Sequence, residues 1–519
     1  MVAIGAACPL VLQAQPSGAA PPLASSQLPT LGDGSEMTSS AERRLGDRIA
    51  REIYRDPDYL DDPVLADYVQ SIWQPLLAAA RLTGDLSPEL DERFAWEIML
   101  GRDRTVNAFA LPGGYLGVHM GLIAVVSNRD ELASVLGHEL SHVTQRHISR
   151  LMAKQSQQTP WMIGAMILGA LAASKNPDTA NALIVGGQAV AAQNQLNFSR
   201  DMEREADRVG YGVMTQAGFA PLGFVTMFDK LQQASRLNDN GAFPYLRSHP
   251  LSSERMADMQ SRQPLDAPRP TFVEPTTEHA MLAARARVLA NSGVDALRAF
   301  VAEAAPAHLA TVSPSRQAGV LYGAALAASR LREGANTQDF LARLSARVQA
   351  YAPAQRWVRL LQAELALAAN NVSSATAALA ALPAATRMAR PELFLSTLAA
   401  VRGGQPAAVD AAAQRLQTWV LTHPKDAQAW QLLASAYTAQ GQTLRAIRAE
   451  AEVQVARLDY PAALDRFRAA QDWVRRAPPG QSGNAGQGGL GAAQNIEAAI
   501  IDTRQRQVAQ LLKEQTLDK

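Results

Sequence analysis

Apolar residues recur at helical spacing through Leu132, Val135, Leu136 and Val143, which predicts a buried helix. Asn128 with Glu131 three positions on predicts its start as a capping box. Just upstream the period changes to two. Asn107 to Ala110 and Tyr115 to His119 alternate around Pro112-Gly113-Gly114, predicting two short strands joined at a turn. Between Pro160 and Ala173 the chain is apolar without a break, but 14 residues fall short of the roughly 20 needed to span a bilayer. With Ala182 to Ala192 this run is expected to form a helical lid over a cleft, not a membrane segment. A proline-rich stretch, 264–275, ends this mixed region. Beyond it the pattern is helical only: alanine-rich, leucine-punctuated segments of about 12–17 residues with short breaks.

The later helices come in pairs. In Pro424 to Ala456, Trp430, Leu433, Ala434, Tyr437 and Ala446 fall at tetratricopeptide-like positions, with Gly441 at the inter-helix turn. Ala463, Phe467 and Ala470 repeat the pattern after Tyr460-Pro461, and helices around Ala283–Leu289, Ala318–Leu331, Trp357–Ala369 and Glu392–Val401 keep the hairpin rhythm. Their apolar stripes are expected to be inter-repeat core, leaving a surface suited to binding a protein segment. The predicted division is a signal-like and disordered lead-in over 1–38, a mixed domain over 39–263, a linker over 264–275, and repeats over 276–478. A glycine-rich tether over 479–494 and a final helix over 495–519 follow.

The chemistry is concentrated in the first helix described. His138-Glu139-Leu140-Ser141-His142 puts two imidazoles one turn apart on one helix face. Both rings can reach one tetrahedral Zn²⁺, and Glu139 is displaced toward a metal-bound water whose proton it can accept. The bland alternative is a buried helix with two hydrogen-bonded histidines. The third ligand is not a later histidine at the metzincin spacing, because Gln145 and Ile148 stand where Gly and His would be needed. His147, half a rotation from His138 on a continuous helix, is expected at the helix end or the surface. A carboxylate from a second helix remains. In Ser199 to Asp207, Glu203 and Asp207 share a face and Glu205 points away. Glu203 can therefore complete the site while Asp207 hydrogen-bonds a ligand histidine. Read in isolation, the same run is an exposed helix salt-bridged by Arg200, Arg204 and Arg208.

Four segments together, Asn107 to Gly114, His138 to His142, Glu203-Arg204-Glu205-Ala206-Asp207 and Ser248 to Arg255, resemble the M48 family of zinc metallopeptidases. The match is specific over about residues 40–260. With the helical second half, the order is similar to the periplasmic β-barrel assembly-enhancing branch. The resemblance implies an α+β zincin-type (gluzincin) fold, mostly helical with a small sheet, followed by an all-α repeat domain. It also implies one Zn²⁺ per chain held by His138, His142 and Glu203, with Glu139 as the general base. It implies as partners misfolded or stalled outer-membrane proteins and their assembly machinery. The hairpin before the catalytic helix is expected to offer an edge for an extended substrate, with His119 structural. The resemblance raises the odds that the loop carrying His249 lies across the cleft, where His249 can occupy the fourth zinc position or donate to an oxyanion. Arg255 is a second candidate donor, with pairing on its own helix as the alternative.

A net charge of +1 and the lack of a basic run give no case for nucleic acid. The one cysteine is Cys8, so no intramolecular disulfide can form. Met1 to Leu12 is small and apolar, with Ala14 as a candidate cleavage position, although it lacks a basic start. Gly5-Ala6-Ala7-Cys8 only partly resembles a lipoprotein box. These features point to an exported, periplasmic endopeptidase. The rival from another class is a periplasmic chaperone or adaptor with a latent or structural zinc site. Intact Glu139 favours the enzyme, because a structural site needs no acid beside its ligand.

Overall fold

A computed structural model describes residues 37–154, 199–236, 242–263, 274–476 and 489–517. The expected signal-like segment, the apolar lid over 160–192 and most of both linkers lie outside the described residues.

The amino-terminal region begins with α1 (Ser39–Arg55), α2 (Pro63–Thr83) and α3 (Pro88–Arg93). Three strands follow, β1 (Glu97–Gly101), β2 (Ala108–Leu111) and β3 (Tyr115–His119), in the order β1-β3-β2. β1 runs parallel to β3, and β2 antiparallel to it, so β2 is an edge. The predicted hairpin is therefore present, and its turn needs glycine: Gly113 and Gly114 both have positive φ, +73° and +83°. Next come α4 (Met120–Val125), α5 (Arg129–Thr144), α6 (His147–Lys154), α7 (Arg200–Gln216), α8 (Leu222–Arg236), α9 (Tyr245–Ser248) and α10 (Ser253–Ser261).

α5 is the predicted buried helix. Asn128 caps it, accepting from Glu131 N at 2.9 Å. Glu131 reaches back one residue further than a capping box requires, accepting from Ser127 N at 2.6 Å while Lys230 neutralises it at 2.6 Å. α5 and α7 cross where Gly137 meets Gly210. A Cβ on Gly210 would stand 2.9 Å from Gly137 C and from His138 N, so only paired glycines let these helices approach so closely. That approach brings residues of α7 up to the imidazoles of α5.

From Thr277 onward the described chain is helical, and helices joined by short turns pack as antiparallel pairs: Ala352–Ala368 on Val372–Ala380, Arg390–Gly403 on Pro406–Thr422, and Ala427–Ala439 on Thr443–Ala456. Gly441, with φ +70°, makes the last of these turns, as its position predicts. Thr277–Ala290 instead lies parallel to Pro314–Arg330, with Thr277 beside Ser315, Ala280 beside Gly319 and Arg285 beside Tyr322. The final helix starts at Gly489, not Asn495, so it takes in the end of the segment read as a tether.

The two regions share one core. α2 buries Leu65, Ile72 and Trp73, and its surroundings continue without a break into Leu282, Leu321 and Leu361. Polar contacts fix the docking. Arg285 bridges Asp62 (2.6 Å) and Glu364 (2.7 Å), Arg356 bridges Asp67 (2.8 Å) and Glu392 (2.6 Å), and Arg390 bridges Asp61 and Asp426, both at 2.8 Å. Each arginine joins the start of α2 to a carboxylate on another repeat helix or its cap. Arg285 holds Asp62 and Glu364 bidentately, which fixes orientation as well as distance, while Arg356 and Arg390 reach Asp67 and Asp61 by one hydrogen bond each. Among the described residues no helix is long and apolar enough to cross a membrane.

Candidate metal centre

His138 and His142 project from α5, Glu203 from the first turn of α7, and His249 from the loop after α9. One ligand atom from each of the four lies within 4.8 Å of every other, and all four side chains are buried. His138 Nε2 is 3.0 Å from His142 Nε2 and 3.3 Å from His249 Nδ1. Glu203 Oε1 stands 3.4 Å from His142 Nε2 and 3.0 Å from His249 Nδ1, and its Oε2 3.5 Å from His138 Nε2.

These separations test whether zinc fits. Ligands at 2.0–2.1 Å in a tetrahedron stand about 3.3–3.4 Å apart, and the observed values scatter around that edge. Three imidazole nitrogens converging in a dry site would otherwise set lone pair against lone pair, or proton against proton. The charge balance agrees: Glu203 and Asp207 are both buried and, among the described residues, Arg255 is the one arginine or lysine paired with them, so the pair favours further positive charge in the cluster. The residues fit Zn²⁺.

Behind the ligands each imidazole has an orienting partner. His138 Nδ1 stands 2.9 Å from Asp207 Oδ1, which leaves Nε2 facing the cluster. Asp207 is held by Arg255 through Nε (2.6 Å) and Nη2 (2.8 Å). Arg255 also reaches Glu203 Oε2 at 2.8 Å and donates to Pro250 O at 2.9 Å. So Arg255 neither points at a substrate position nor pairs on its own helix, the two roles expected for it. It fastens α7 to the loop carrying His249. Burial opposes charge on both carboxyls. His249, His138 and His142 nevertheless hold Glu203 well below the usual carboxylate range, and Arg255 and His138 hold Asp207 down. Burial also works against His138, yet Asp207 and Glu203 push it up to about 9. At His142 burial wins and pushes the ring well down.

His147 corrects the sequence reading. The half-turn argument assumed one continuous helix, but α5 ends at Thr144, Arg146 takes φ +53°, and a new helix starts at His147. The break turns His147 inward, fully buried, with Nδ1 2.9 Å from His142 Nδ1. Its Nε2 lies 3.0 Å from Glu205 Oε2, which Arg150 also holds at 2.9 Å. Glu205 does point away from Glu203 and Asp207, as expected, but it is not idle. With Nε2–H donating to Glu205, His147 Nδ1 accepts from His142 Nδ1–H, and His142 Nε2 is left bare toward the cluster. A signal existed in sequence: Glu205 with a His-x-x-Arg pair, His147 and Arg150.

Glu139 is buried beside the cluster without joining it. Neither of its oxygens has a hydrogen bond of full geometry, and its nearest ring is His249, with Nε2 at 3.4 Å from Oε1. Burial pushes its carboxyl up, while His249 and His138 pull it down, and the Ala110 backbone on β2 faces it. The edge strand thus runs past the acid. His249 stacks on Tyr245 (ring centroids 4.6 Å apart, 29° between planes), and its own N–H donates to Tyr245 O at 2.9 Å. His119, expected to be structural, is buried with Nδ1 2.9 Å from Thr105 Oγ1. The expected surface ion pairs of α7 exist on its other face, Arg204 with Asp201 and Glu254, and Arg208 with Asp258.

Comparison with known proteins agrees with this geometry. The beta-barrel assembly-enhancing protease of Escherichia coli is 29% identical over 443 residues, 84% of this chain and 86% of that one. A Vibrio cholerae protein provisionally given the same name is 33% identical over 327 residues, 61% of this chain and 63% of its own length. The Arabidopsis thaliana mitochondrial metalloendopeptidase OMA1 is 32% identical over 164 residues, 32% of this chain and 31% of that one. The profile of peptidase family M48 matches residues 65–263, the span that supplies all four clustered side chains, and this chain therefore carries an M48 zinc metallopeptidase domain.

Proposed function

We propose that this chain is a periplasmic zinc endopeptidase that removes misfolded or stalled outer-membrane proteins, with its helical repeats delivering the substrate. The observation that carries the reading is the convergence of His138, His142, Glu203 and His249 on one tetrahedron-sized volume beside an unligated, buried Glu139. His138, His142 and Glu203 are the zinc ligands in this reading. When bound, zinc supplies a polarised carbonyl and a water that ionises near neutral pH. Glu139 takes the water's proton on a carboxylate oxygen and later passes it to the leaving amine. Burial raises its proton affinity, the direction a general base needs. Asp207 orients His138, and Arg255 holds Asp207 in place. β2, an edge strand among the described residues that passes Glu139, accepts an extended substrate as an added strand. Such binding uses main-chain groups and suits unfolded chains of varied sequence.

His249 occupies the volume a water or substrate carbonyl needs, so the resting site is latent and opens when the loop moves. The periplasmic setting and the assembly partners rest on the named relatives. A chaperone or adaptor with only a structural zinc gains support from the same His249 position, but leaves Glu139 without a purpose. Zinc analysis and digestion of an unfolded outer-membrane protein test the reading. The chain should carry about one zinc, and Glu139→Gln should retain it while losing hydrolysis. His249→Ala should raise basal proteolysis with little loss of zinc. Hydrolysis that survives Glu139→Gln in uncontaminated protein would refute the mechanism.

A further inference from the structure

α5 ends at Thr144 and α6 starts at His147, and of the two residues between them Arg146 takes φ +53°. A side chain is disfavoured in that region, and helix ends that use it usually place glycine or asparagine there. Arg332, Asn370 and Leu458 take the same conformation between repeat helices, but one further residue separates each of them from the next helix. Here His147 follows directly. The Arg146 backbone therefore sets both the direction in which α6 leaves and the side to which His147 faces.

α1 takes hold of this turn. Glu42, in the first turn of α1, is almost wholly buried. Its Oε2 accepts from Arg146 Nε at 3.2 Å and from Nη2 at 3.1 Å. The guanidinium also donates to Met37 O, just ahead of α1, and to Ser149 Oγ at 3.2 Å. Ser149, fully buried on α6, donates to the same Met37 carbonyl at 3.3 Å. The start of α6 is thus fastened to the start of α1 at Arg146 and Ser149. Interleaved with them are His147 and Arg150, which hold His142 and Glu205. The same part of α1 braces the hairpin. A Cβ on Gly113 would stand 2.7 Å from Arg43 Cα, and one on Gly46 2.0 Å from Pro112 O. α1 therefore bears on the turn that follows β2 and on the turn that ends the ligand helix.

We propose that Glu42 is a positioning residue for the metal centre: by holding Arg146 in its left-handed turn it keeps His147 against His142, and so keeps His142 Nε2 aimed at the zinc. Glu42 acts through Arg146 and His147, and it touches neither metal nor substrate. This role rests on the reading of the cluster as a zinc centre, and it extends the site's supporting groups to a helix at the far end of the domain sequence. An ordinary ion pair between α1 and α6 would add stability without depending on which residue occupies the turn. That difference is open to experiment.

The test uses the full chain. Glu42→Ala should weaken zinc binding about tenfold in chelator competition, the lower end of what loss of an outer partner does, and should change the visible spectrum of the cobalt-substituted protein. Glycine adopts a positive φ without a tether. Glu42→Ala with Arg146→Gly should therefore regain the parental affinity and spectrum. Glu42→Ala with Arg146→Met removes the same two charges but leaves a side chain on the turn, and should regain neither. Should Glu42→Ala alone not fold, the two double variants, in which neither member of the pair remains, are compared with each other, and the glycine variant should bind zinc about tenfold tighter. Parental affinity with an unchanged cobalt spectrum in Glu42→Ala, or equal affinity in the two double variants, would overturn the proposal. A parent chain that takes up no zinc fails the zinc reading and this role with it, whereas a parent chain that binds zinc while these comparisons fail loses the role of Glu42 alone.

Discussion

His147→Phe removes the ring nitrogens that link His142 to Glu205 while keeping a ring of similar size in a fully buried site. Without His147 Nδ1 at 2.9 Å, His142 Nδ1–H loses that acceptor in a buried site. An unsatisfied buried polar group costs about 1–3 kcal/mol, and the strain is relieved if the ring shifts its proton to Nε2 or rotates, either of which spoils a zinc ligand. A cost of that size is roughly 5- to 150-fold in zinc affinity, in line with the 10–100-fold that follows loss of outer partners at other sites. Glu205→Gln should cost less, because a glutamine carbonyl still accepts from His147 Nε2–H. Glu205→Ala should fall between Gln and His147→Phe. Chelator competition measures the affinity, and cobalt substitution reports ligand geometry by its visible spectrum. Melting of the metal-free protein checks that packing survives. If His147→Phe binds zinc as tightly as the parent and gives the same cobalt spectrum, His142 is oriented by something else and the relay is refuted.

Three further outcomes are expected. Glu203→Gln should lose zinc strongly, and Asp207→Asn should weaken it about 10–100-fold, as read by metal content after dialysis. Gly210→Ala should destabilise the fold by about 1–3 kcal/mol and lower zinc content, because its Cβ meets Gly137 and His138 N at 2.9 Å. Gly212→Ala, with nothing within 4 Å, is the matched control in the same melts. His279 accepts from Tyr68 Oη at 2.6 Å and donates to Val126 O at 2.7 Å, so the folded ring is neutral, and burial pushes it down to about 4 from 6.5. The unfolded chain therefore takes the proton first as pH falls. Stability is complete above about pH 6.5 and lost toward pH 4, by roughly 2 kcal/mol at about pH 5. His279→Gln should flatten that part of the melting-temperature profile, and an unchanged profile would show that His279 does not contribute it.

Sequence made the candidate metal-binding histidines legible because a four-residue period is a statement about one helix face. His138 and His142 needed no tertiary information, and the edge hairpin was announced by Pro112-Gly113-Gly114. The same face argument separated Glu203 and Asp207 from Glu205. It misjudged His147 because periodicity assumes a continuous helix, and one positive φ at Arg146 breaks it. It did not assign Arg255 its contacts, because a guanidinium reaching three groups on two other segments leaves no periodic trace. The docking of the repeats onto α2 was likewise hidden, since Asp61, Asp62 and Asp67 read as an ordinary polar helix start.

On the proposed latent reading, the contacts of Arg255 bear on how the site opens. Arg255 ties the His249 loop to Asp207 and Glu203 through buried, charge-assisted bonds, so pulling His249 alone out of the cluster would strain the contacts that orient His138. The less costly movement pivots the short segment from Tyr245 to His249 and leaves Arg255 in place. Stacking on Tyr245 and one backbone hydrogen bond hold His249 within the moving segment, so the contacts that the pivot gives up are those of its ring to the cluster, chiefly Glu203 Oε1 at 3.0 Å. Tyr245 N in turn donates to Val106 O, and Val106 N to Ala242 O, just before β2. The same short stretch therefore carries the histidine and leans on the strand where substrate would add. A chain pairing with β2 can shift that support and favour the open state without touching zinc, which is the differential contact that a substrate-driven opening requires.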